Sequence, residues 1–194
     1  MLDRIILASK SKVRKEILDK YKIPCEVKPS NVDEDIVKET LIKESASTEI
    51  ISKNLAELKA NKVSLNQKDR MVMGADSVID LNSELISKPT NREEALLILK
   101  KLNGKKHKLI SSVCISRNGS MIWNYTDKAE LIMKKFSEEG LKVYLSKISD
   151  KALFAYNVYQ IEGEGRNLFS DITGDEDTIM GLPGFKIKEY LKNY

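Results

Sequence analysis

The chain has 194 residues, with 33 Lys and Arg against 29 Asp and Glu for a formal charge of +4, and 41% of it is hydrophobic. That length suits one domain with a proper core, or one domain with an inserted lobe, and the composition excludes a disordered chain. The charge is too small for a nucleic-acid coat and no stretch approaches the ~20 apolar residues of a membrane span, so neither nucleic acid nor a membrane is expected as a partner. Met1-Leu2-Asp3-Arg4 leads into apolar residues without the core and cleavage site of a signal peptide, and a strand is expected over residues 4–8. Cys25 and Cys114 belong to no C-x-x-C or Cys/His group. They point to a reduced, cytoplasmic protein with two packing cysteines rather than to structural zinc.

Ser9-Lys10-Ser11 opens a helix with Val13, Ile17 and Tyr21 on one face and Ser11 as its N-cap. Lys10, Lys12, Arg14 and Lys15 crowd the helix N-terminus, where the macrodipole favours anions. Two readings fit: a solvated basic helix end, or a phosphate site at which backbone N–H groups, hydroxyls and positive charge converge. A second strand is expected over residues 23–28. Val32-Asp33-Glu34-Asp35 reads as a loop, either solvated surface or the oxygen-rich loop that Mg²⁺ uses beside substrate phosphates. Residues 45–65 are helical in pattern, with Ile51, Leu55 and Leu58 as the stripe. Lys59 lies beside that apolar face, from which its ammonium can snorkel to water.

The run Met71-Val72-Met73-Gly74-Ala75-Asp76-Ser77-Val78-Ile79-Asp80 reads as an apolar strand around one carboxylate. Asp76 is either a strand-end residue facing water or a functional carboxylate with a cationic or metal partner, because an unpaired charge in an apolar strand is costly. Gly74 and Ala75 leave room for a ligand or another backbone to approach. A turn and short returning strand deliver Lys88 just before Pro89, which holds Lys88 extended. Thr90-Asn91-Arg92-Glu93 is a capping box for a helix with Ala95, Leu99 and Leu102 on one face, closing at Gly104. Residues 107–117 and 121–134 form two strands joined by Asn118-Gly119, the favoured hairpin turn. His107 sits among lysines and reads as surface; with no second histidine, a His-based triad is excluded. Ser137 caps a further helix that buries Leu141, Tyr144, Leu145 and Ile148. Gly163-Glu164-Gly165 lacks the dinucleotide fingerprint and reads as a turn that lets backbone approach a ligand. A strand at residues 168–172 and a last helix after Gly181-Leu182-Pro183-Gly184 complete the chain. Alternating strands and helices with one long hairpin imply an α/β or α+β domain around a mixed sheet, and no P-loop motif is present.

Taken in order, these landmarks resemble the Maf family of nucleoside triphosphate pyrophosphatases. The residues that carry the resemblance are Leu7-Ala8-Ser9-Lys10-Ser11-Lys12-Val13-Arg14, Val32-Asp33-Glu34, Leu55-Ala56-Glu57-Leu58-Lys59-Ala60, Ala75-Asp76-Ser77-Val78, Lys88-Pro89 and Gly181-Leu182-Pro183. The resemblance implies one Maf-like domain over residues 1–194, with a fold like that of the inosine triphosphate pyrophosphatases: a mixed sheet with two lobes around a nucleotide cleft, commonly a homodimer. It also implies attack of water on the α-phosphorus of a nucleoside triphosphate, with a divalent cation, Mg²⁺ or Mn²⁺. Asp76 would be the base or the activator of a metal-bound water, with Glu34 helping to hold the metal. Lys59 and Lys88 would neutralise the triphosphate and leaving group, Ser9, Ser11 and Arg14 would hold phosphates, and Ser77 keeps the hydroxyl of a family threonine. Lys12 and Val13 stand where many members have proline and the first of two arginines. Glu162 stands where many have glutamine. A carboxylate there suits a base edge rich in N–H donors, and the branch acting on 7-methyl-GTP shares the Glu and lacks the first arginine; dTTP and UTP stay open as substrates. A nucleotide-binding regulator of septum formation with little activity, and an RNA-binding protein using Lys10, Lys12, Lys15, Lys105, Lys106 and Lys108, are the alternatives. The second lacks interleaved aromatics.

Overall fold

The computed structural model describes residues 4–194, apart from the side chains of Ala155 and Tyr156. The expected lead-in at residues 1–3 lies outside them. The elements run β1 (Ile5–Leu7), α1 (Lys12–Lys20), β2 (Cys25–Val27), α2 (Glu34–Lys43), α3 (Thr48–Ser64), β3 (Val72–Leu81), β4 (Glu84–Ile86), α4 (Arg92–Leu102), β5 (Lys106–Arg117), β6 (Ser120–Met133), α5 (Glu138–Ser146), α6 (Asp150–Tyr156), β7 (Phe169–Thr173), α7 (Glu176–Ile179) and α8 (Gly184–Leu191), with a 3-10 turn at Glu164–Leu168. Among the described residues seven strands form one mixed sheet in the order β2-β1-β3-β5-β6-β7, with β4 paired to β3. The pairs of β1 with β2 and β3 are parallel and the rest antiparallel.

Local chemistry accounts for most of these elements. Ser11, Ser47, Asn91, Ser137 and Ser149 each accept a backbone N–H at a helix start. The Asn91 cap is a variant of the expected box: Glu94 reaches back to the backbone N–H and hydroxyl of Thr90. Asn118 and Gly119 take φ of 51° and 83°, the left-handed pair that a type I′ hairpin requires.

The two faces of the sheet are covered unequally. One carries α3, and Gly74 explains how closely: a Cβ there would lie 2.2 Å from the Ala56 carbonyl and 2.6 Å from the Ala60 nitrogen. Another backbone, not a ligand, occupies the room beside Gly74. The opposite face carries two apolar clusters. One gathers Leu7, Ile17, Met73, Ala75, Ile115, Leu182 and Ile187, and the other Ile79, Leu99, Leu109, Leu131, Leu145, Leu153 and Phe169. Cys25 and Cys114 are free and buried.

Several expectations need correction. The acidic segment is not a loop: Asp33 N-caps α2 and Glu34 is its first residue. Leu58 is 39% exposed, and the buried line of α3 runs through Ile51, Leu55, Ala56, Lys59 and Ala60. His107 is not on the surface; it is 2% exposed, with Nε2 2.9 Å from the Tyr159 hydroxyl. Residues in a strand alternate sides, so His107 shares the covered face with Leu109 and Val113, whatever the flanking lysines suggest. Gly165 serves its own turn, since a Cβ there would lie 2.5 Å from the Gln160 carbonyl oxygen.

Candidate active site

A notch in the sheet creates the site. β5 covers one edge of β3 from Val72 to Asp80, while the other edge is taken by β1 at Val72 and Met73 and by β4 from Ile79 onward. Among the described residues no strand covers that edge between Met73 and Ile79, and Asp76 lies midway along the gap. A cavity of about 460 Å³ occupies this region. Its lining brings together all nine residues singled out from the sequence: Ser9, Ser11 and Arg14 after β1, Glu34 on α2, Lys59 on α3, Asp76 and Ser77 on β3, Lys88 after β4, and Glu162 after α6.

Lys59 does not snorkel. It is 5% exposed, and its ammonium lies 2.8 Å from Asp76 Oδ1, 2.8 Å from Glu34 Oε1 and 3.5 Å from the Ala75 carbonyl. Close packing of α3 at Gly74 holds the lysine where it can bridge both carboxylates. Asp76 is likewise buried, not at a strand end facing water, and its Oδ2 has no hydrogen-bond partner. Burial pushes the Glu34 carboxyl up, but Lys59, Lys38 and Lys88 together hold it below the usual carboxylate range. Burial and then the Arg14 charge push the Lys88 ammonium below the usual lysine value, with Glu34 and Asp76 opposing the shift.

Arg14 is fixed from several sides. Nε donates to the Gly181 carbonyl at 2.9 Å, Nη1 to Ser9 Oγ at 3.2 Å and the Ala75 carbonyl at 2.9 Å, and Nη2 to Ser77 Oγ at 3.2 Å. Four of its five N–H groups are thereby engaged. Burial lowers its pKa, with Asp76 and Glu34 acting against the shift. Ser77 is engaged as well, lying 2.8 Å from Ser111 Oγ and 3.3 Å from the Gly181 carbonyl. The left-handed φ of +107° at Gly181 lets that carbonyl turn toward both.

Sequence reasoning did not single out Lys38, on α2, or Phe154, on α6, both of which line the cavity. Neither lies in a recognised motif, and α2 buries none of its residues, so no apolar stripe marks it. Away from the charged end, the lining combines apolar Ile79, Ile86, Leu109, Ile161 and Ile179 with polar Asn157, Gln160 and Glu162. Ile79 pairs with both Ile86 and Leu109, so these form one rank across the sheet, three residues or about 10 Å along β3 from Asp76. The cavity can therefore hold a polyanion at one end and a group with apolar faces and polar edges at the other.

Fold and site define an α/β protein whose sheet carries a cationic cavity around a buried carboxylate. The Maf-like protein family matches residues 4–194, and the chain belongs to the Maf family. It is 69% identical over 192 residues to a protein of Pelagibacter ubique named "Nucleoside triphosphate pyrophosphatase", covering 99% of this chain and 98% of that one. It is 34% identical over 183 residues to a protein of Rhizobium etli named "7-methyl-GTP pyrophosphatase", covering 94% and 92%. Among solved structures, a HAM1 protein from Coxiella burnetii aligns over 100% of both chains with a TM-score of 0.52 at 13% identity, a likeness of fold alone.

Proposed function

We propose that this protein hydrolyses a nucleoside triphosphate to the monophosphate and pyrophosphate, with the reaction beside Asp76. One observation carries the reading: Asp76 Oδ1 is locked by Lys59 while Oδ2, equally buried, has no partner. A buried acceptor is costly unless something satisfies it. An attacking water, or a divalent cation holding it, would satisfy Oδ2 in the working enzyme. Family membership and the name of the Pelagibacter relative support the reaction class.

On this reading Oδ2 takes the proton as a water oxygen bonds to the α-phosphorus. The bond from that phosphorus to the bridging oxygen breaks, and pyrophosphate leaves. Lys59 and Lys88 stabilise the charge that develops in the transition state. Ser9 and Ser11 offer hydroxyls to the phosphates at the start of α1, and Arg14 acts chiefly by holding Ser9 and the Ala75 and Gly181 carbonyls in place. The residues fit a divalent cation of the Mg²⁺ or Mn²⁺ kind. Among the described residues no group of three or more His, Cys, Asp or Glu gathers, as a zinc site would need. Mg²⁺, however, is held through one or two carboxylates with substrate phosphates and water supplying the rest, and Asp76 and Glu34 are such a pair. When bound, it would lower charge on the phosphates and the pKa of its water.

The apolar rank at Ile79 supports a base subsite, and exposed Glu162 on the cavity wall supports a purine with N–H donors, 7-methyl-GTP ahead of dTTP or UTP. The enzyme would then remove surplus or modified nucleotides. The two apolar clusters fit two lobes about the cavity within one domain. Two free buried cysteines favour a reducing, cytoplasmic setting; the homodimer rests on family resemblance. Among the described residues no helix is long and apolar enough to cross a membrane.

The test is product analysis with Mg²⁺ and dTTP, UTP, GTP and 7-methyl-GTP, assaying pyrophosphate separately from orthophosphate. Pyrophosphate release, fastest with 7-methyl-GTP and lost in a folded Asp76→Asn variant, is the expected result. Triphosphate binding with no release would make the protein a nucleotide-binding regulator instead.

A further inference from the structure

Lys38 belongs to none of the motifs discussed above, yet it lines the cavity. It stands one turn after Glu34 on α2, with its side chain 21% exposed. Its Nζ lies 3.8 Å from Glu34 Oε2 and 3.9 Å from Asp35 Oδ1, too far for a hydrogen bond to either. Lys59, by contrast, lies 2.8 Å from Glu34 Oε1. Glu34 is therefore held firmly through one oxygen and only loosely neutralised at the other. The Lys38 charge also reaches the far wall, since it opposes protonation of Lys88 as well as favouring ionised Glu34.

Charge balance gives this arrangement a use. Lys10, Arg14, Lys38, Lys59 and Lys88 face two carboxylates, Glu34 and Asp76, in the charged end of the cavity. The excess is positive, as a triphosphate requires, because its phosphates stay anionic even with one divalent cation bound. Arg14 is fixed by protein acceptors, and Lys59 is held by three. Among the described residues Lys38 makes only the two longer ion pairs, to Glu34 and Asp35, and its four-carbon stem lets the ammonium move.

We propose that Lys38 is a further residue that binds the pyrophosphate end of the substrate. In the free protein its ammonium balances Glu34 Oε2. When the β- and γ-phosphates enter, it moves onto them and leaves Glu34 Oε2 available to the cation that accompanies the substrate. The proposal rests on the pyrophosphatase reading above, and deepens it by naming the group that holds the leaving product. A solvated helix pair would instead contribute little to stability and nothing to ligand binding.

The experiment is titration calorimetry without turnover, with Mg²⁺ present and two probes, inorganic pyrophosphate and GMP, on the wild type, Lys38→Gln, Lys38→Met and Lys38→Arg. Losing one charge-assisted contact should weaken pyrophosphate about tenfold in the Gln and Met variants, with GMP affinity unchanged within about twofold and Lys38→Arg close to wild type. Melting temperatures confirm that each variant is folded. Unchanged pyrophosphate affinity in Lys38→Gln and Lys38→Met, equal weakening of both probes, or no pyrophosphate binding by the wild type overturns the proposal. Because no hydrolysis is measured, these outcomes are independent of whether the protein turns over a triphosphate, which the product assay decides separately.

Discussion

Arg14 and Lys59 are both cations beside Asp76, but their surroundings give them different work. Lys59 touches the carboxylate directly, whereas Arg14 ties Ser9, Ala75, Ser77 and Gly181 together around it. Lysine at position 14 keeps the charge but cannot reproduce the planar fork. Arg14→Lys should therefore lower kcat about a hundredfold through misplacement of the site, with KM moved much less; steady-state kinetics would separate this from a purely phosphate-binding role, in which KM rises instead. His107 shows a different residue-scale effect. Burial pushes its imidazole down to about 4, against 6.5 for an ordinary histidine. The unfolded chain then binds the extra proton between those values, so this group's contribution to stability is complete above pH 6.5 and lost as pH falls toward 4. By about pH 5 the loss is on the order of 2 kcal/mol. His107→Phe should be slightly less stable near neutrality, for want of the Tyr159 hydrogen bond, yet less sensitive to acid. Thermal melts at about pH 7.5 and about pH 5 check this, and equal acid sensitivity in both proteins would contradict it.

At the scale of elements, the contact between α3 and β3 decides whether the Lys59–Asp76 pair forms. Gly74→Ala would put a methyl group against the backbone of Ala56 and Ala60, neither of which can rotate away. It should cost about 1–3 kcal/mol as α3 shifts off the sheet, and activity should fall further than stability does, because Lys59 moves with the helix. Melting temperature and turnover on the same preparation test this. The elements also explain what the sequence made legible. Asn118-Gly119, the serine caps and the period of Ala95, Leu99 and Leu102 are local signals, and each fixed an element nearly in place. The helix α2 escaped because it buries no residue and so carries no periodic signal beyond its Asp33 cap. Lys59 looked like a surface lysine because its partners are 17 and 25 residues away in the chain and meet it only through the tertiary contact at Gly74. His107 was obscured by charged neighbours on the other side of its own strand.

For the whole molecule, the notable feature is an interrupted sheet edge. β1 ends and β4 begins on the same side of β3, and the segments that follow each of them, with α1, α2, α3 and the Gly181 turn, supply the walls of the gap. Motifs scattered from Ser9 to Glu162 thus converge on one cavity, which is why their order along the chain carried so much of the site while their geometry needed the fold. On the proposed mechanism, water attacks the α-phosphorus beside Asp76. Hydrolysis of a triphosphate in heavy-oxygen water, with both products analysed by mass, tests it directly. Attack at the α-phosphorus puts the label in the nucleoside monophosphate and leaves pyrophosphate unlabelled, with neither formed by Asp76→Asn. Label in pyrophosphate, or release of labelled orthophosphate, would place the attack elsewhere and contradict it.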